Sequence, residues 1–186
     1  MKRLYSLVLC VAASLWLEIS VLRADVTVPS AMDLQQLGSQ ARSRELPILL
    51  TFTSIICSYC ELLEQDFLQP MLLSGDYRDK VMIRKLELGP GASVTDFNGR
   101  RIMASELSSR YRVFVTPTLL FIDGNGKELA ERIVGINTPE LFGGYLDECI
   151  ETALEHLRDP QAAALRRGCQ LENPADSDTI FRTAAP

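Results

Sequence analysis

Two cysteines separated by two residues, Cys57 and Cys60, stand where a compact apolar run gives way to a helical pattern. This junction constrains the fold more than any other feature of the sequence. The run Ile48-Leu49-Leu50-Thr51-Phe52-Thr53 follows Pro47 and reads as a buried strand. After the cysteine pair, Cys60, Leu63 and Phe67 recur at helical offsets and share one face. Cys57 is thus expected at the helix N-terminus, exposed, with Cys60 one turn inside and facing the core. Pro70 predicts that this helix ends or kinks.

The remaining elements follow from patterning. Residues 33–43 form a weak helix with Leu34, Leu37 and Ala41 near one face. Lys80 to Leu88 reads as a second strand, with Val81 and Ile83 alternating, and residues 89–100 read as a loop rich in Gly and Pro. A short helix is expected over 102–111. A third strand lies within Val113 to Ile122, interrupted near Thr116-Pro117. The turn Asp123-Gly124-Asn125-Gly126 then joins it to a strand over Leu129 to Val134. Thr138-Pro139-Glu140 starts a last helix, running to about Arg158, with a hydroxyl cap, Pro in the first turn and then an acid. From Ile48 onward the order is β–α–β–α–β–β–α. A right-handed crossover makes the first two strands parallel, and the final hairpin adds antiparallel strands. The expected architecture is an α/β fold with a central mixed sheet and helices on both faces.

The aligned peptide dipoles of a helix place partial positive charge at its N-terminus, which stabilises a thiolate there. The thiolate is the nucleophile of disulfide exchange. Cys57 therefore suits attack on a partner sulfur, and Cys60 suits resolution of the mixed disulfide that forms. The same spacing also occurs in zinc half-sites and structural bridges. A zinc site needs four ligands, and Cys149, Cys169 and the single His156 have no matching close spacing, so no metal or other cofactor is expected. Pro117 at the head of an apolar strand cannot donate a ladder bond. It is either a cis peptide in a tight turn or a trans proline at a sheet edge; the first would leave a backbone edge on which a partner strand could pair. Ile55, Ile56 and Tyr59 surround the reactive thiol as an apolar rim suited to extended protein partners, although Ile55 equally suits packing beneath the Pro117 loop. Cys149 reads as a small buried hydrophobe, with a bridge to Cys169 as the alternative, and His156 reads as a surface residue.

Targeting and charge complete the outline. Lys2 and Arg3 precede an apolar run from Leu7 to Leu17, and Ala24 is a small residue at a position suited to cleavage. Residues 1–24 therefore read as a secretory signal peptide, with an uncleaved membrane anchor as the alternative. Residues 25–32 read as an extended segment, 33–158 as the domain and 159–186 as a loose tail. The net charge of -5 and the lack of a basic stripe exclude nucleic acid as an expected partner.

A strand, a CxxC, a helix, a Thr-Pro opening a hairpin and a last helix together resemble the thioredoxin family, over roughly residues 33–157. The resemblance implies a thioredoxin fold, a cis Pro117 beside the cysteines, and thiol–disulfide exchange by Cys57 and Cys60. It also implies that Ile56, Tyr59, Thr116 and Pro117 contact substrate. The Ser-Tyr dipeptide and the Thr before Pro117 look more like exported members, such as the disulfide isomerases and sulfur-oxidation-associated thioredoxins. The stretch FVTPTLLFIDGNGKELAERIVGINTPELFGGYL is similar to the latter group, which is periplasmic. Partners would then be exported protein disulfides or thiols, with a membrane thiol transporter as electron donor. Reductase or isomerase action is favoured over oxidation. The disulfide isomerases carry an N-terminal dimerisation domain, for which residues 25–32 are too short, so a monomer is expected. The sequence also departs from the family. Ile56 stands where the cytosolic protein has Trp, and Thr51 stands where it has a buried Asp that manages a proton for the resolving thiol. Glu61 or Glu64 would have to take that role, or else simply face solvent on the helix. The readings from other classes are a binding or chaperone module with a structural CxxC clip, and a module for metal or haem-thiol handling.

Overall fold

A computed structural model describes residues 26–159, 161 and 169. The expected signal peptide and all of the tail except 159, 161 and 169 lie outside the described residues. Helix α1 (Leu34–Arg44) starts where the Asp33 carboxylate accepts a hydrogen bond from the Gln36 backbone N–H at 2.8 Å. It leads into β1 (Ile48–Ser54), whose first six residues are all buried. Helix α2 (Ser58–Leu63) follows and passes through a π-helical turn (Glu64–Leu68) into α3 (Gln69–Ser74). Next come β2 (Met82–Leu88), β3 (Ser93–Thr95), β4 (Arg101–Met103) and α4 (Ala104–Arg110). Strands β5 (Thr118–Ile122) and β6 (Ile133–Val134) and helix α5 (Pro139–Arg158) close the domain.

The main sheet has the order β2-β1-β5-β6. Strand β1 is parallel to β2 and antiparallel to β5, and β5 is antiparallel to β6. The two-residue period of the strands sends side chains to two separate cores. Leu49, Ile83, Leu119 and Phe121 pack with Leu63, Leu68 and Met71 of the α2–α3 helix and with Phe142, Leu146 and Ile150 of α5. Ile48, Leu50, Phe52, Leu120 and Ile122 pack on the opposite face with Leu34, Leu37 and Ala41 of α1 and Leu107 of α4. The fold is thus the mixed α/β sandwich expected, with α2, α3 and α5 on one face and α1 and α4 on the other.

Four local expectations need correction. Of the two outcomes expected at Pro70, an end or a kink, the helix after the cysteines does not end there. It continues to Ser74, and Pro70 is accommodated just after the π turn, where the Gln69 N–H reaches back to the Glu64 carbonyl. A proline has no N–H to give, so widening the preceding turn keeps the helix continuous. The loop over 89–100 and the start of the next helix contain a small antiparallel hairpin, β3–β4, that the Gly/Pro content concealed. The strand expected over Leu129 to Val134 is reduced to two residues. The reason lies at Glu131, whose N–H is engaged by the carbonyl of Cys169 instead of by a neighbouring strand. The Thr138 hydroxyl makes no capping bond, and Pro139 in the first turn marks the start of α5 instead. The segment read as extended adds its residues 29–31 to the sheet edge, where Ala31 and Pro29 exchange backbone hydrogen bonds with Lys85.

Candidate redox site

Strand β1 delivers the chain through Ile55 and Ile56 to Cys57, which has extended backbone angles and caps α2. The Cys60 backbone N–H donates to the Cys57 sulfur at 3.2 Å. One amide of the first helical turn thus points at the sulfur, the arrangement that favours negative charge on it. Cys57 is partly exposed, whereas Cys60 is buried beneath it at 5% exposure. The two are joined in a disulfide with Cα atoms 5.2 Å apart, within the range that closes without backbone movement.

The register of the sheet brings the second motif to the same place. Phe52 pairs with Thr118, so Pro117 lies at the end of the sheet from which Ile55–Cys57 emerge. The Thr116–Pro117 peptide is cis, and the Pro117 carbonyl accepts from the Gly135 N–H at 2.8 Å. Pro117 itself is buried and Thr116 is half-buried. Ile56 is 91% exposed, and Ile55 and Tyr59 are also exposed. Ile55 therefore forms part of the rim and does not pack beneath the loop. Two further apolar side chains, Phe114 at 83% exposure and Val115, precede the Thr-Pro pair and are exposed as well. Sequence reasoning missed them because it read Val113 to Ile122 only as a stretch containing an interrupted strand. The signal was present in the adjacent Pro117, which keeps the residues before it out of the ladder.

Behind Cys60 lies an open cleft of about 230 Å³ lined by Thr53, Ser54, Ile55, Cys60, Glu61, Glu64, Lys85 and Glu87. Glu64 forms an ion pair with Lys85, whose Nζ donates to both carboxylate oxygens at 2.9 and 2.7 Å. The Val28 backbone N–H donates to the same carboxylate at 3.3 Å. Thr51 sits opposite Lys85 in the β1–β2 register. It is fully buried and its hydroxyl is left without a partner.

The other two cysteines answer an open alternative. Cys149 is not a lone buried hydrophobe but is bridged to Cys169, and both are fully buried. Burial beside each other in the α5 core makes the pair a clamp from α5 to the tail. His156 is not a surface residue either: it is half-buried and its Nδ1–H donates to the Leu129 carbonyl at 2.7 Å. Among the described residues no group of three or more His, Cys, Asp and Glu is placed to hold a metal ion. No described helix is long and apolar enough to cross a membrane.

Fold and site together define an α/β protein that carries a CxxC disulfide at a strand-to-helix corner beside a Thr-Pro turn. Residues 34–150 match the thioredoxin-like domain family, and the chain belongs to that family. Among solved structures it is similar to the DsbH oxidoreductase, at 23% identity and a TM-score of 0.47, with 73% of this chain and 89% of that chain covered. It is also similar to a thioredoxin-fold protein of Helicobacter pylori, at 21% identity and a TM-score of 0.45, covering 75% and 81% of the two chains. A third is thioredoxin h of poplar, at 21% identity and a TM-score of 0.43, covering 60% and 84%. Comparison with curated proteins gives no match.

Proposed function

We propose that the protein is a thiol–disulfide oxidoreductase that reduces or isomerises disulfides of exported proteins. The observation that carries this reading is the cysteine pair itself. One sulfur is accessible and accepts a helix-terminal N–H, and the other is buried and already bonded to it. In the reduced protein the Cys57 thiolate attacks a partner disulfide, and Cys60 then attacks Cys57 and releases the partner. The rim of Ile55, Ile56, Tyr59, Phe114 and Val115, with Thr116 and Pro117, is the surface on which an extended polypeptide rests. An apolar rim of this kind favours unfolded over folded partners.

The setting follows from the N-terminal sequence. Residues 1–24 direct the chain out of the cytoplasm, into the periplasm, where disulfides persist unless reduced. A reductase there needs electrons, and a membrane thiol transporter supplies them.

Insulin reduction with a thiol donor tests the activity. Wild type should precipitate the insulin chains and Cys57→Ser should not. Cys60→Ala should accumulate mixed disulfides through Cys57. Absence of turnover by wild type with any thiol donor would reduce the cysteine pair to a structural clip. A redox potential nearer to about -270 mV than to about -120 mV is expected for a reductant.

A further inference from the structure

The resolving step needs a thiolate at Cys60, and Cys60 is almost fully buried. Its proton therefore needs an acceptor close by. Thr51, buried on β1 opposite Lys85, has a hydroxyl that cannot take up a proton at neutral pH and makes no hydrogen bond. The cleft behind Cys60 offers four titratable groups: Glu61, Glu64, Lys85 and Glu87. Glu61 and Glu87 are exposed at its mouth. Lys85 is a cation already committed to the Glu64 carboxylate. Glu64 remains. It lies one helical turn beyond Cys60, its N–H bonded to the Cys60 carbonyl, so both residues are on one face. Its side chain is 20% exposed and is fixed by Lys85 and by the Val28 N–H.

We propose that Glu64, held in place by Lys85, accepts the proton of Cys60 during resolution, directly or through water in the cleft. The inference rests on the reading of Cys57 and Cys60 as attacking and resolving thiols. The cleft exceeds many times the roughly 30 Å³ that one water occupies. In the step, the Cys60 S–H bond breaks and its proton passes to the Glu64 carboxylate. The freed electron pair on the Cys60 sulfur attacks the Cys57 sulfur of the mixed disulfide. The Cys57–Cys60 bond forms, the bond from Cys57 to the partner breaks, and the partner leaves as a thiolate. The protein dithiol has then lost two electrons to the partner disulfide. The proton on Glu64 returns to solvent through the open side of the cleft. Lys85 holds the carboxylate in place in the cleft between turnovers.

Stopped-flow mixing of the reduced full chain with dithiobis(nitrobenzoate) separates the two steps. The first nitrothiobenzoate is released in a bimolecular phase by Cys57, the second in a unimolecular phase as Cys60 closes the disulfide. In Glu64→Gln the ratio of second- to first-phase rates should fall roughly a hundredfold at neutral pH, the low end of what a positioned base contributes. It should recover in alkaline buffer, where hydroxide takes the proton. In Lys85→Met the carboxylate is kept but loses the Nζ contacts that fix it, so the second phase should slow at neutral pH and recover in alkaline buffer, as in Glu64→Gln. This variant also reports on Glu64 should the glutamine substitution prevent folding. A wild-type pH profile for the second phase in both variants overturns the assignment. So does a uniform slowing at every pH, which would mark a purely structural role. A wild-type protein that releases no second nitrothiobenzoate removes the resolving role of Cys60 and the proposal with it.

Discussion

The Asp96 carboxylate shows how a single side chain is fixed by its surroundings. It is almost fully buried and accepts the backbone N–H groups of Arg100 and Asn98 at 2.9 Å, with the Arg110 guanidinium at the same distance. The Arg100 N–H first, and then Arg110, hold its pKa down to about 2. A carboxylate whose folded pKa lies below the unfolded value of about 3.9 contributes stability that is present above that value and fades as pH falls toward the folded one. Thermal melts of wild type should therefore lose stability between about pH 4 and pH 2, and Asp96→Asn should flatten that part of the profile. The sequence marked none of this, because Arg110 reaches Asp96 only once α4 has docked. By contrast, the roles of Cys57 and Cys60 as exposed and buried partners were legible from spacing alone, since a helix turn separates them whatever lies around it.

At the scale of the element, α1 meets the β5–β6 turn at two glycines. A Cβ on Gly38 would overlap the carbonyl oxygen of Gly124, and a Cβ on Gly124 would come within 2.5 Å of the Gly38 carbonyl oxygen. Gly38→Ala adds about 1 kcal/mol of helix propensity, and at an exposed site it would stabilise. Here the backbone collision wins, because a carbonyl cannot swing aside as a side-chain tip can. The variant should melt lower than wild type by calorimetry, and an unchanged or raised Tm would show that the two segments separate easily. Helix α1 itself was legible from the spacing of Leu34, Leu37 and Ala41. Its contact with residue 124 was not, since the two lie far apart in sequence and only the sheet brings them together. The π turn is intermediate: Pro70 announced a disturbance, but whether the helix broke or widened depended on Leu68 and Met71 being held in the core on either side of it.

Across the whole molecule, the Cys149–Cys169 bridge links α5 to the tail with a sequence separation of 20. Cross-linking a loop of this length restricts the unfolded chain and is worth about 3 kcal/mol in the chain-entropy model. Replacing both cysteines by Ala should lower the denaturation midpoint by a corresponding amount. It should leave insulin reduction per folded molecule unchanged, because the bridge lies in the α5 core and not at the Cys57 end of the sheet. Loss of turnover in that double variant would mean that the clamp shapes the redox site. The sequence offered both states of Cys149, since a buried thiol and a buried disulfide have the same apolar surroundings.

The sequence by itself determined the α/β order, the two-faced sheet and the cysteine pair at a helix start. These depend on periodicity, chain direction and local turn chemistry, which neighbouring residues carry between them. Tertiary structure alone decided that Thr51 lies opposite Lys85, that Glu64 and Lys85 share a cleft with Cys60, and that Phe114 and Val115 are left exposed ahead of Pro117. Each of these depends on strand register and on helix docking across the sheet, and a register shift of one residue would send every such side chain to the other face.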